Sequence, residues 1–369
     1  MSQLSLTFGP PPERTVPPLP APRAPALSPE DMARQLEQHP DYRVLRRLVP
    51  VQDYGPPPVL AGTDAPALAA PRVLILDTET TGLSHESDRI IELAMLLVSV
   101  DAATGRPFGP VETFEGFEDP GMPIPEVAKQ VTGITDEMVR GQRLDDARVQ
   151  ALIERADLVV AHNAGFDRPF VEARFPGFAH KPWACSFADI DWKAQGAESA
   201  KLGALAQDRG WFYDAHRALV DCHALLQVLA SPQADGSGLA RLIAAASRPS
   251  YKLRATGAPF EAKDLLKARG YRWDAAARVW CCNLGSDEAL EAERAWLQAQ
   301  VYGQRRAQAE VEALDALMRY EPPRVLRRLQ LLRRWSHEQV TEVLPGSPRT
   351  RRSHGAGAPS RLHIAVGSH

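Results

Sequence analysis

The run Arg72-Val73-Leu74-Ile75-Leu76-Asp77 limits the fold more than any other stretch of the chain. Its four central residues are apolar and two of them are β-branched. The run ends on a carboxylate at the edge of a polar loop. Such a segment reads as a buried strand. Asp157-Leu158-Val159-Val160-Ala161 has the same character. Residues 89–101, 111–118 and 185–190 read as further strands. Residues 126–131, 135–139, 145–155, 166–174, 202–209 and 217–229 read as helices. Strands first, then strand and helix mixed, predict an α/β domain with one mixed sheet over residues 72–232.

The rest of the chain divides around this domain. Residues 1–27 are rich in proline and are expected to be extended or disordered. Residues 28–71 are expected to hold a helix and a linker. Ser28 suits an N-cap, Pro29 the first helical position, and Glu30 and Asp31 the positive end of the helix dipole. The helix is expected to restart after Pro40 as Tyr42-Arg43-Val44-Leu45-Arg46-Arg47-Leu48. Proline and alanine then mark a linker from Pro50 to Pro71. Residues 233–250 look like a second linker containing a short helix. Residues 251–320 read as a small α+β unit of strand, helix, hairpin and helix. Residues 321–344 form a basic amphipathic helix in this reading, and 345–369 a disordered tail.

Net charge excludes a polycation: 43 basic residues face 46 acidic ones, a balance of −3. Contact with nucleic acid must therefore come from local basic patches or from metal ions. The cysteines are Cys185, Cys222, Cys281 and Cys282. They form no C-x-x-C pair and no zinc-site spacing, which fits a reduced, cytoplasmic setting. The first residues lack a basic stretch followed by an apolar one, so no secretory signal is expected. The longest apolar run, residues 90–100, is interrupted by Glu92 and is too short to span a bilayer, so no membrane partner is expected.

The chemistry concentrates at the ends of the core elements. Asp77 and Glu79 are two apart on a strand, so both carboxylates point to one face. Asp167 follows the second buried strand within His162-Asn163-Ala164-Gly165-Phe166-Asp167, and Asp221 lies in a helix near His216. Four carboxylates at one crevice repel one another unless protons or cations neutralise them. Hard oxygen ligands select Mg²⁺ or Mn²⁺. Two such ions about 3.5–4 Å apart serve in-line displacement at phosphorus. His216, with an ordinary pKa of about 6.5, suits the general base. It must sit at or before the helix start, because residues five apart within one helix point about 140° apart. His162 and His223 are rivals for that role, but only His216 has the motif spacing. Glu92 and Arg89 are expected to order the second strand rather than bind metal.

Asp77-Thr78-Glu79-Thr80-Thr81-Gly82-Leu83, the His162–Asp167 run and His216-x4-Asp221 resemble the three exonuclease motifs of the DEDD superfamily. The histidine points to its DEDDh branch, which includes the proofreading epsilon subunit of bacterial DNA polymerase III, ribonuclease T and oligoribonuclease. Pro120-Gly121-x-Pro123-Ile124-Pro125 and Gly133-Ile134-Thr135-Asp136-Glu137-Met138 resemble the epsilon-like members, although many relatives carry His where this chain has Thr132. The resemblance covers the core domain alone. It implies a ribonuclease-H-like fold with a mixed five-stranded sheet flanked by helices, and 3′→5′ exonuclease activity with two divalent ions, Mg²⁺ or Mn²⁺. By motif, Asp77 would bridge both metals, Glu79 and Asp221 would complete the first site, and Asp167 would serve the second, partly through water. His216 would be the general base. The Thr81-Gly82 backbone would hold the terminal nucleotide, Leu83 would wedge beside its base, and Thr78 and Phe166 would join the substrate contacts. The motifs leave open a DNA or an RNA 3′ end. A non-catalytic nucleic-acid-binding subunit is the alternative of a different class.

Gln3-Leu4-Ser5-Leu6-Thr7-Phe8 resembles the short peptide with which bacterial replication proteins dock on the sliding clamp, with Gln3, Leu4, Leu6 and Phe8 as anchors. A DNA polymerase is a further expected partner. In the small unit, Phe260, Lys263, Lys267, Arg269, Tyr271, Arg272, Trp273 and Trp280 interleave bases with aromatics. They either steer a single strand or, for the aromatics, fill a small core.

Overall fold

The computed structural model describes residues 27–58, 70–232, 236–275, 277–305 and 308–321. The clamp-like peptide, the basic helix and the tail expected from sequence lie outside these residues.

Five strands form the central sheet: β2 (Arg72–Thr80), β3 (Ile90–Val100), β4 (Pro107–Phe117), β5 (Leu158–Ala161) and β6 (Trp183–Cys185), in the order β4-β3-β2-β5-β6. The β2–β3 and β3–β4 pairs are antiparallel, and β2–β5 and β5–β6 are parallel. The sheet is therefore mixed and helices cover both faces, as an α/β fold requires. Alternation along β2 sorts its side chains. Val73 and Ile75 enter the layer under α6 (Leu202–Asp208), α7 (Ala218–Ala230) and α8 (Gly238–Ala246). Leu74 and Leu76 enter the layer under α4 (Asp146–Arg155) and α5 (Ala164–Arg174). The same alternation carries Asp77 and Glu79 toward α7 and Thr78 toward α5.

Sequence expectation and structure part in several places. The expected helix at 42–48 is absent. Arg46–Arg47 (β1) instead pairs parallel with Trp211–Phe212 (β7). That pairing buries Leu48, and Arg46 also reaches back to Glu30 and Glu37 of α1 (Pro29–Glu37). Part of the expected linker at 50–71 packs on the domain: Asp53 bridges Pro110, and Tyr54 lies against the α7 layer. The strand expected at 185–190 ends at Cys185, because the Asp189 carboxylate accepts the Cys185 N–H at 2.8 Å and closes a turn. The short helix expected within 233–250 is present but belongs to the core. Ser237 caps α8, and Leu239 and Leu242 are fully buried. Gly238 permits this approach, since a Cβ there would fall 2.6 Å from Leu229.

The second sheet runs β11-β8-β10-β9 and is antiparallel throughout, using β8 (Ser250–Thr256), β9 (Arg272–Asp274), β10 (Val279–Leu284) and β11 (Gln308–Leu314). Its core joins Leu253, Leu266 of α9 (Lys263–Ala268) and Leu290 of α10 (Asp287–Trp296) to Tyr271. The strand β11 was not legible in the sequence pattern. Tyr271 is a core residue and Trp280 packs against that core, whereas Trp273 is half exposed at the edge strand. Arg269 is engaged by Glu293.

Candidate active site

Alternation along β2 and the start of α7 bring three carboxylates together. Oxygen atoms of Asp77, Glu79 and Asp221 lie within 4.8 Å of one another. Asp221 is held from both sides. Its Oδ1 accepts the Tyr213 hydroxyl at 3.1 Å, and its Oδ2 accepts the N–H groups of His216 at 2.8 Å and Arg217 at 3.2 Å. The helix begins only at Ala218, so His216 stands outside it, with φ of +67° and an exposed ring. This break frees His216 and Asp221 from the helical angle that would have turned them apart.

Asp167 arrives from the opposite layer. Asn163 adopts a left-handed conformation after β5, and α5 starts at Ala164. Asp167 sits in its first turn, where the helix dipole favours a carboxylate. Its Oδ1 accepts the Thr78 N–H at 3.2 Å and the Thr78 hydroxyl at 2.8 Å. Asp167 stands beside the other three rather than within their oxygen cluster, and its charge acts on Asp77.

Crowding and burial dominate the electrostatics. Burial first, then Asp167, Asp221 and Glu79, hold the Asp77 carboxyl well above the ordinary carboxylate range. Burial, with Asp221, Glu92 and Asp167, pushes Glu79 up to about 8 against the pull of Arg217. Burial raises Asp167 to about 7 despite its Thr78 hydrogen bonds. Burial also raises Asp221, although its three hydrogen bonds oppose this. Such a site takes up protons or cations. An all-carboxylate donor set of this spacing fits a hard divalent ion: Asp77, Glu79 and Asp221 could hold one, and Asp167 together with Asp77 a second.

The remaining expected residues fall into two groups. Thr78 is buried and its hydroxyl donates to Asp167. Leu83 is 87% exposed at the tip of the loop after β2. Asp88 shapes that loop by accepting the Ser84 N–H at 2.9 Å and the Thr81 hydroxyl at 3.3 Å. A side chain at position 82 would meet the Asp88 carboxyl at 2.6 Å, which explains Gly82. Phe166 is half-buried, 5.1 Å from the Phe170 ring. Burial lowers His162 to about 4, and it pairs with Ser186 at 2.7 Å. His223 is buried within α7.

Sequence reasoning missed Tyr213 and Asp88 and gave Glu92 only a strand-ordering role. Glu92 is fully buried opposite Glu79. It takes the Arg217 guanidinium at 2.9 Å and the Ala218 N–H at 3.0 Å, and so anchors the start of α7. Its signal was a charged residue inside an apolar strand, which burial permits only with a partner.

Residues 74–229 match the family model described as Exonuclease (RNase_T). The matched stretch contains the whole carboxylate crevice. A PolC-type DNA polymerase III from Listeria welshimeri is 40% identical over 103 residues, which are 27% of this chain and 7% of that protein. Its counterpart from Latilactobacillus sakei is 37% identical over 121 residues, 32% of this chain and 8% of the relative. The chain therefore spans under a tenth of the length of these curated relatives. Among solved structures, exonuclease X in complex with 5′ overhanging duplex DNA aligns over 46% of this chain and 99% of its own, with 23% identity and a TM-score of 0.33. A 3′-exonuclease recognising a histone mRNA stem-loop aligns over 46% of this chain and 65% of its own, with 18% identity and a TM-score of 0.35. No helix among the described residues is long and apolar enough to cross a membrane.

Proposed function

We propose that this protein is a metal-dependent 3′→5′ exonuclease that releases nucleoside 5′-monophosphates from the single-stranded or frayed 3′ end of DNA, in proofreading or repair. One observation carries the proposal: Asp77, Glu79 and Asp221 meet within 4.8 Å, with Asp167 beside them and His216 exposed at the break before α7. A purely structural core has no use for four mutually repelling acids, and this argues against the non-catalytic alternative.

Asp77, Glu79 and Asp221 would hold one divalent ion, and Asp167 with Asp77 the other. Bound Mg²⁺ or Mn²⁺ supplies Lewis acidity and charge neutralisation for in-line displacement at phosphorus. His216 takes the proton of the attacking water as its oxygen bonds to phosphorus and the 3′ oxygen departs. Thr81 and Gly82 offer backbone to the terminal nucleotide, Leu83 an apolar wedge, and Phe166 a flanking ring. The preference for DNA draws support from the polymerase relatives and from the clamp-like peptide.

The test uses 5′-labelled single-stranded DNA and the matched RNA, with Mg²⁺, for wild type and Asp77→Ala. A ladder on DNA that the variant loses is expected. A ladder on RNA alone would overturn the substrate, and a ladder on neither would overturn the activity. Docking on a sliding clamp through Gln3, Leu4, Leu6 and Phe8 predicts that a peptide of residues 1–10 binds a bacterial clamp. Equal binding after Leu6→Ala and Phe8→Ala would discard it.

A further inference from the structure

The residue after Asp167 is a fully buried charge. Arg168 is fully buried, yet its partners are not the catalytic acids. Its Nε meets Glu172 at 2.5 Å one turn along α5. One terminal nitrogen donates to the carbonyl of Arg319. The other donates to the carbonyl of Leu317 at 2.7 Å and reaches Glu321 at 3.3 Å. Its guanidinium also lies over the Trp183 ring of β6, 5.5 Å from the centroid. Leu317, Arg319 and Glu321 lie 149, 151 and 153 residues further along the chain, and they meet Arg168 because the chain returns after the small sheet.

That returning segment, residues 315–321, is fastened at several points. Trp183, on the edge strand of the nuclease sheet, donates its backbone N–H to the carbonyl of Ala316 at 2.7 Å. Tyr320 donates its hydroxyl to Asp189 and packs, as Phe166 does, on the core under α5. Arg319, almost fully buried, donates to Ser250 Oγ at 2.8 Å and to the carbonyls of Ala245 at 2.9 Å and Arg248. The segment thus closes over the β6 edge and over the helix that carries Asp167.

We propose that Arg168 is a positioning residue that fixes Asp167 for the second metal ion, and that residues 315–321 complete the nuclease site by holding Arg168. The inference rests on the exonuclease reading above. A planar guanidinium has five donors in a fixed fork, and here they join two backbone carbonyls of the returning segment to carboxylates on either side. Loss of the fork frees α5 to shift against β6. Asp167 then moves relative to Asp77 on β2. Residues that orient metal ligands typically govern metal affinity by about 10–100-fold.

The experiment uses the full chain with Arg168→Met, Arg168→Lys and Arg319→Met. Mn²⁺ binding is followed by titration calorimetry, and the Mg²⁺ concentration for half-maximal cleavage is measured alongside. In Arg168→Met, the tighter Mn²⁺ event should persist while the weaker one loses roughly 10-fold or more in affinity. The Mg²⁺ requirement should rise in parallel. Arg168→Lys should recover part of the loss, and Arg319→Met should show the same signature in milder form. Folded Arg168→Met with a wild-type isotherm would overturn the proposal. Should that variant fail to fold, a wild-type isotherm in folded Arg319→Met would overturn it equally. Failure of the exonuclease reading itself would be visible separately, as wild type that neither binds Mn²⁺ nor cleaves.

Discussion

Raising the pH of metal-free protein from 7 to 8.5 should lower its melting temperature. Burial and neighbouring acids raise the folded-state pKa of Glu79 to about 8 and hold Asp77 well above its usual range. Between the unfolded and folded pKa values the folded state keeps a proton that the unfolded state has released. Stability therefore falls as pH rises through that window. His162 has the opposite sign: burial lowers it to about 4, so its contribution grows with pH up to its unfolded value and is nearly complete by pH 7. Starting at pH 7 separates the two effects. One extra proton is worth about 1.4 kcal/mol per pH unit, so Glu79 contributes about 1 kcal/mol over this range, and Asp77 acts in the same direction. About 1 kcal/mol from Glu79 corresponds to a fall of roughly 2–4 °C for a unit of this size, and Asp77 deepens it. Differential scanning calorimetry in chelator, repeated with Mg²⁺, is the assay. Mg²⁺ should abolish the slope, because an ion replaces the protons. Glu79→Gln should raise the melting temperature at pH 8.5 and flatten the slope. A melting temperature independent of pH in chelator, or a full slope in Glu79→Gln with Asp77→Asn, would refute the electrostatic account.

Other consequences follow from single residues. His216→Asn should lower kcat by about 10²–10⁴-fold, as expected for loss of a general base, with Mn²⁺ binding intact by calorimetry. Arg217→Met removes the guanidinium from fully buried Glu92 and should cost about 3 kcal/mol in denaturant unfolding, the lower end for a broken buried pair because Arg217 is partly exposed. Trp273→Ala with Phe260→Ala, both exposed, should leave the melting temperature nearly unchanged yet weaken oligothymidylate binding by about 1 kcal/mol or more, read by anisotropy. Equal affinity would assign the small sheet no part in holding a single strand. Full-length variants are needed for this comparison, since truncation would also remove the segment that clasps Arg168.

The central strands were legible because residues 73–76 of β2 and the whole of β5 are apolar at every position, a pattern that a strand covered on both faces tolerates. The period of two then placed Asp77 and Glu79 together without further information, and the five-residue interval from His216 to Asp221 required a helix boundary between them. What escaped sequence reasoning depends on distant partners. The short helix expected within residues 233–250 is present, but only the packing of Leu239 and Leu242 beneath the sheet shows it to be core. Arg46 and Arg47 carry no strand signal of their own, and their conformation follows from pairing with residues 211–212. Arg168 reads as a surface charge on an amphipathic helix until the carbonyls of residues 317 and 319 come into view. Thr78 and Glu92 show the same limit: residue type announces polarity, but not which of two neighbouring carboxylates or cations will claim it.

On the reading proposed above, these four carboxylates hold the divalent ions that hydrolysis needs. Mn²⁺ binding followed by electron paramagnetic resonance, in wild type and Asp77→Asn with a nucleoside 5′-monophosphate present, tests it most directly. Wild type should bind two saturable ions per chain, spin-coupled through their proximity, and Asp77→Asn should lose the coupled signal. Absence of saturable binding in wild type, or an unchanged coupled signal in the variant, would contradict it.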